Sequence, residues 1–185
     1  MKIGCVVLAA GNSVRFGENK LLKLFLGEPM ISRALNAIPS EKFHRVVVVT
    51  QYDAIEDLAR EKGFAVIRND HPDLGQSYSV KLGLQALISC DAVLFQVSDQ
   101  PLLQKKNVAA LVDFYRQHPD NIVALGYHGQ RGNPCLFPAA YYEELLQMEG
   151  DHGGNVVIRQ HEDKLLLLEV PPKELTDIDT PDIPV

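Results

Sequence analysis

The feature that most constrains this chain is a set of short apolar runs with no polar alternation. Arg45-Val-Val-Val-Val-Thr50 is almost wholly β-branched, and residues 3–8, 64–67 and 92–97 are similarly apolar. A strand with one wet face alternates polar and apolar side chains. A continuous run belongs to a strand covered on both faces, the condition of a parallel sheet between helices. The segments between the runs fit that requirement. Residues 30–37 read as a helix with Pro29 suited to its first turn and Pro39-Ser40 as its stop. Residues 53–62 place Ile55, Leu58 and Ala59 on one helical face, with Gly63 as the terminator. Successive strand–helix repeats predict right-handed crossovers. The expected fold is therefore three-layer α/β, with a mostly parallel sheet and helices on both faces.

Further along, residues 80–88, 108–116, 139–148 and 155–160 read as helices, and residues 121–126, 135–137 and 165–170 as strands. Tyr127-His-Gly-Gln-Arg131-Gly132-Asn133-Pro134 reads as a glycine-broken connection of hairpin type. At 185 residues and 20.5 kDa, residues 1–185 are expected to form a single domain. A formal charge of −6 argues against a nucleic-acid surface, so local cations must hold any phosphate. No run approaches the ~20 apolar residues of a membrane span. The three scattered cysteines, Cys5, Cys90 and Cys135, fit buried thiols in a reducing cytoplasm better than a disulfide framework.

Chemistry concentrates where the runs end. The first empties into Ala9-Ala10-Gly11, and cations follow at Arg15 and Lys20. Small residues let the backbone approach a ligand, its N–H groups supply dipoles, and the side chains add charge, so the stretch suits an anion cradle. A solvated glycine-rich turn is the plainer alternative. Gly11 is not followed by the Gly-Lys-Ser/Thr of a Walker loop, and Gly11 and Gly17 lack the G-x-G start of a dinucleotide fingerprint. Asp99 stands just past the 92–97 run, where α/β sheets collect ligands, although it could instead cap a helix starting near Gln104. Ser77 or Ser79 can cap the helix that follows them, and Asp151 can cap the one after it. The acidic stretch around Asp177 and Asp179 reads, alone, as a solvated end. None of the six histidines has ligand or triad spacing.

Leu8-Ala-Ala-Gly11, Arg15-Phe-Gly17 and Asn19-Lys20-Leu-Leu22 together resemble the signature loop of nucleotidyltransferases with a nucleoside-diphospho-sugar transferase, GT-A-like fold. The similarity is greatest to the MobA-like, molybdenum-cofactor cytidylyltransferase group, and motifs at residues 75–83, 98–102, 132–137, 150–154 and 177–181 follow in its order. The resemblance implies a Rossmann-like sheet and magnesium-dependent transfer of a nucleoside monophosphate to a phosphorylated acceptor, with loss of pyrophosphate. The Ala-Ala-Gly form of the loop is similar to members that use CTP. The implied acceptor is molybdopterin, the implied location cytoplasmic, and the implied partner a molybdoenzyme or its chaperone in transient contact.

By the same resemblance, Leu8, Ala9, Ala10, Gly11, Arg15, Lys20, Gly75, Ser77 and Ser79 face the nucleotide. Arg15, Lys20 and Asp99 are the implied catalytic groups, and Asp99 and Asp177 the implied Mg2+ ligands, with Asp179 as the alternative to Asp177. Gly132, Asn133, Pro134 and Asp151 fall to the acceptor, with Gly132 leaving room for its close approach. Gly154-Asn155 departs from the small residue and arginine of many relatives, which bears on the acceptor's identity. A phosphate acceptor is already ionised near neutrality, its second pKa being about 6, so no dedicated base is needed. The rival readings are a sugar-phosphate nucleotidyltransferase, a non-catalytic cofactor-binding or chaperone protein, and a metal-dependent glycosyltransferase, whose Asp-x-Asp is here a single Asp99.

Overall fold

The computed structural model describes residues 1–11 and 19–178, so Arg15 and Asp179 lie outside the described residues. Its main sheet uses β1 (Ile3–Ala9), β4 (Arg45–Thr50), β5 (Ala65–Arg68), β6 (Ala92–Val97), β7 (Ile122–Tyr127), β8 (Gln130–Pro138) and β9 (Leu165–Glu169). A two-stranded ribbon, β2 (Leu24–Phe25) with β3 (Glu28–Pro29), stands apart. The sheet order is β5-β4-β1-β6-β8-β7-β9. All its pairings are parallel except those that β8 makes with β6 and β7.

The β-branched runs behave as their composition requires, because both faces of β1 are buried. Cys5 and Val7 point into one apolar layer, with Ile55, Leu35 and Leu111. Val6 points into the other, with Val80, Leu84 and Leu145. Helices α1 (Met30–Asn36), α2 (Asp53–Glu61) and α4 (Lys105–Gln117) cover the first face. Helices α3 (Gln76–Ala86), α5 (Tyr142–Gln147) and α6 (Asn155–Gln160) cover the second. This is the expected three-layer arrangement.

Two elements differ from their sequence reading. The strand read as residues 135–137 is the nine-residue β8, which begins before the Gly132-Asn133-Pro134 expected to be loop. The strand tolerates these residues because its register slips there. Ala124 pairs with Cys135 and Gly126 with Arg131, so residues 132–134 face a single residue of β7. A proline lacking its N–H fits such an irregularity. Helix α3 starts at Gln76, which puts Ser77 and Ser79 inside it and buried, and its N-cap, Gly75, supplies no side-chain bond.

Strand order fixes where a ligand can sit. The chain proceeds from β1 outward to β4 and β5, then returns to place β6 on the other side of β1. Such a reversal opens a crevice beyond the carboxyl ends of the two diverging strands.

Candidate functional site

The crevice floor is the loop leaving β1, and its carbonyls are tied down one after another. Ser98 Oγ, past β6, donates to the Leu8 carbonyl at 2.8 Å. From the end of β4, Thr50 Oγ1 donates to the Ala9 carbonyl at 3.0 Å and Gln51 Nε2 to the Ala10 carbonyl at 2.8 Å. The Tyr52 hydroxyl donates to the Gly11 carbonyl at 2.8 Å. Four consecutive acceptors are thus held by side chains of the flanking strand ends. A backbone fixed in this way is pre-organised to meet a ligand without further ordering cost. Gln51 and Tyr52 were not singled out in the sequence, where isolated polar residues after a strand carry no signal of their own, and Ser98 entered only as the first residue of the 98–102 motif.

Lys20 reaches the same place. It opens a single 3-10 turn, Lys20–Leu22, which Asn19 caps by accepting from the Leu21 N–H at 3.0 Å. Its ammonium lies 2.9 Å from Asp99 Oδ2 and donates to the Ile178 carbonyl at 3.3 Å. The pair is partly shielded, with side-chain exposures of 17% for Lys20 and 24% for Asp99. The Ile178 N–H donates to the Asp99 carbonyl at 2.9 Å. Gln100 Nε2 donates to Asp177 Oδ1 at 2.8 Å and to the Leu175 carbonyl at 3.1 Å. Residues 20, 99, 100, 177 and 178 therefore converge beside the β1 loop, so Asp177 and Ile178 belong to the candidate site.

A metal at this point is an implication of the resemblance, and the donor set fits one. Asp99 Oδ1 is buried and has no hydrogen-bond partner among the described residues, an acceptor that a cation would satisfy. The Asp177 carboxylate lies next along the same loop contact, on Gln100. Magnesium needs only one or two protein carboxylates beside phosphate oxygens and water. Among the described residues, no cluster of three or more metal-ligating side chains exists.

The opposite wall is built by two loops that cross. Gly75 has φ +83°, and a Cβ there would lie 2.5 Å from the Gly150 carbonyl group. Its missing side chain thus makes room for protein backbone. Asp151 does not cap α6, which lacks any side-chain cap; its Oδ1 accepts from the Gln76 N–H at 3.2 Å, at the start of α3. Ser77 and Ser79 cap nothing either. Ser79 Oγ accepts from Asn69 Nδ2 at 2.9 Å inside the protein. Asp99 is likewise not a helix cap, since the cap at α4 comes from Glu174, which accepts from the Gln104 N–H at 3.0 Å.

Next to this wall a cavity of about 90 Å³ opens between β1, β6, β8 and α6. Phe95, Val97 and Phe137 make it apolar, while Gln76, Asn133 and Asn155 bring amides. Its cation is Arg131, whose Nη1 donates to the Gly132 carbonyl at 3.2 Å and whose Nη2 is hydrogen-bonded to Asn155 Oδ1. Burial pushes the neighbouring Cys135 thiol up, against the opposing pull of Arg131. Of the residues expected at the acceptor, Asn133 lines this cavity. Gly132 does not open towards it, because a Cβ there would meet Leu175 Cδ2 at 2.7 Å. Pro134 is buried in β8, and Asp151 stands at the start of α3. Arg131 carried no sequence signal beyond its place in a polar turn.

A sequence-family model described as MobA-like NTP transferase domain matches residues 5–165. The purine catabolism protein PucB of Bacillus subtilis is 27% identical over 190 residues, covering 96% of this chain and 91% of its own. A probable molybdenum cofactor guanylyltransferase of Thermococcus sibiricus is 32% identical over 148 residues, covering 77% of this chain and 70% of its own. Among solved structures, a Mycobacterium tuberculosis protein crystallised as a complex with manganese superposes with a TM-score of 0.74. It is 19% identical and covers 92% of this chain and 89% of its own.

Proposed function

Because the chain belongs to the MobA-like NTP transferase domain family and is a nucleotidyltransferase of that kind, we propose that it moves CMP from CTP to a molybdopterin-type phosphate. The observation that carries the reading is the meeting of Lys20, Asp99 and residues 177–178 at the carboxyl ends of β1 and β6. A cation and two carboxylates beside a pinned small-residue loop are what a triphosphate needs. The triphosphate lies over Ala10 and Gly11, with Lys20 offsetting its charge. Asp99 and Asp177 would hold magnesium, which supplies charge neutralisation between phosphate groups. The manganese complex of the mycobacterial neighbour supports a divalent ion in this fold.

An ionised oxygen of the acceptor phosphate attacks the α-phosphorus. The new P–O bond forms as the bond to the bridging oxygen breaks, and pyrophosphate leaves with that electron pair. No proton must be removed, so the site's work is positioning and charge. The Ala9-Ala10 form of the loop supports CTP. The cavity beside Arg131 supports a flat, partly apolar acceptor over a sugar, because Phe95 and Phe137 offer ring surface while Asn133 and Asn155 offer amides. At about 90 Å³ it takes one ring or one anionic group of the acceptor, not the whole molecule.

Pyrophosphate release tests this, with each of the four NTPs against molybdopterin and against sugar phosphates. The expected outcome is fastest release with CTP and molybdopterin. Preference for GTP would overturn the base assignment, and preference for a sugar phosphate the acceptor. No release from any pair would leave only a binding role.

A further inference from the structure

Glu174 is 0% exposed, and the transfer chemistry does not use it. Its Oε2 accepts from the Gln104 N–H at 3.0 Å, and Asn107 Nδ2 donates to Oε1 at 2.9 Å and to Oε2 at 2.8 Å. The carboxylate thus sits at the N-terminus of α4, a thirteen-residue helix with no acid in its first turn and no side-chain bond from its own N-cap. A helix start lacks partners for its first N–H groups and favours negative charge, so it is a place that suits a carboxylate. A local Ser or Asp could do as much. What distinguishes Glu174 is the chain that follows it.

The next four residues reach the site. The Leu175 carbonyl and Asp177 carboxylate both accept from Gln100, the Ile178 N–H donates to the Asp99 carbonyl, and the Ile178 carbonyl accepts from Lys20. Leu175 fills the space left by Gly132, and Ile178 packs with Phe25 and Met30. After β9 this segment has no strand ladder, only a four-residue 3-10 turn, Pro172–Leu175. Glu174 is its buried polar anchor to a rigid helix.

We propose that Glu174 is a positioning residue, stapling residues 175–178 to the start of α4 so that the Asp177 carboxylate is held beside Asp99 for the metal-bound triphosphate. The proposal rests on the nucleotidyl-transfer reading for what Asp177 does, but not for the staple itself. Changing Asn107 to Asp sets carboxylate against carboxylate, an opposition that no amide rotation relieves. Changing Glu174 to Gln at the same time restores complementarity, since the new amide can donate to the new acid while its oxygen still accepts from Gln104.

The test uses the full chain with Asn107→Asp, Asn107→Ala and the double variant Glu174→Gln/Asn107→Asp. Calorimetry follows Mn2+ binding in the presence of a non-hydrolysable α,β-methylene CTP analogue. Hydrogen exchange follows the amides of residues 175–178. Asn107→Asp should weaken Mn2+ binding about tenfold or more, the scale of a buried hydrogen-bond mismatch. Asn107→Ala should weaken it less, and the double variant should recover to about twofold of the parent. In both single variants the 175–178 amides should exchange faster while those of β1 and β6 do not.

Parent-like Mn2+ affinity and exchange in the single variants, with only the melting temperature lowered, would make Glu174 a helix cap and overturn the proposal. So would a double variant that regains stability but not metal affinity. If Asn107→Asp does not fold, Asn107→Ala decides, because it removes only a side chain at a half-exposed helix start. If the parent binds no metal–nucleotide complex, the transfer reading fails, and the exchange rates still decide the staple.

Discussion

Lys20 and Asp99 neutralise each other at the place where the proposed function puts a triphosphate and its metal. A partly exposed pair of this kind contributes about 0–1 kcal/mol to stability. Lys20→Ala should therefore shift the melting temperature by only about 2–4 °C, while turnover falls by about a hundredfold or more for loss of a charge in the reacting site. Calorimetric melting beside steady-state rates checks this, and a melting collapse would make Lys20 structural. The pairing also bears on Asp99. Two bare neighbouring carboxylates would gain stability from losing one charge, whereas Asp99 already has Lys20 and Asp177 has Gln100. Asp99→Asn is thus expected to leave the melting point level or slightly lower and to abolish most turnover. Gly75 is the opposite kind of residue. With φ +83° and the Gly150 carbonyl group 2.5 Å from any added Cβ, Gly75→Ala meets both backbone strain and a backbone clash. Melting should drop by an amount corresponding to about 2 kcal/mol or more. An unchanged melting curve would show that the two loops can part.

At the scale of elements, the strands and most helices were legible because their signal is local. An uninterrupted β-branched run declares a doubly covered strand, and amphipathic spacing declares a helix. Two local rules pointed the wrong way. Gly132-Asn133-Pro134 reads as a loop unless one knows that β7 supplies an irregular register opposite it. Ser77 and Ser79 look like caps unless one knows that the loop ending at Gly75 is pinned by the Gly150–Asp151 backbone, so that α3 begins earlier. Lys20 and Asp99 were visible as motifs, but Glu174, Arg131 and Gln51 were not, since each acts through a partner distant in sequence. The ties on the β1 loop are open to measurement. Gln51→Ala and Tyr52→Phe each remove a donor to a loop carbonyl. Each should raise KM for the nucleotide about three- to tenfold, in line with a lost hydrogen bond of about 1 kcal/mol, with kcat and melting little changed. A fall in kcat at constant KM would mean that the loop contacts only the transition state.

Over the whole molecule, burial of weak acids sets an alkaline limit. Burial pushes up the thiols of Cys5, Cys90 and Cys135 and the hydroxyls of Tyr141, Tyr142 and Tyr115, the last to about 12. The folded chain keeps these protons while the unfolded chain releases them near its ordinary values of about 8.5 for Cys and 10 for Tyr. Their contribution to stability is intact below those values and is lost as pH climbs towards the folded ones. Melting temperature should fall steadily above about pH 8.5, and a flat profile from pH 8 to 11 would contradict it. The Lys20–Ile178 contact, which spans 158 residues, has a further consequence during synthesis. Domains can begin to fold as the chain is made, and contacts of large sequence separation form late. The β1 loop, β4 and β6 can assemble early, yet the acid that completes the site belongs to a segment translated after all of them. A nascent chain that has not reached residue 178 can be largely folded and still lack one wall of the proposed nucleotide site, so sheet formation and completion of that site are separate events in the life of this protein.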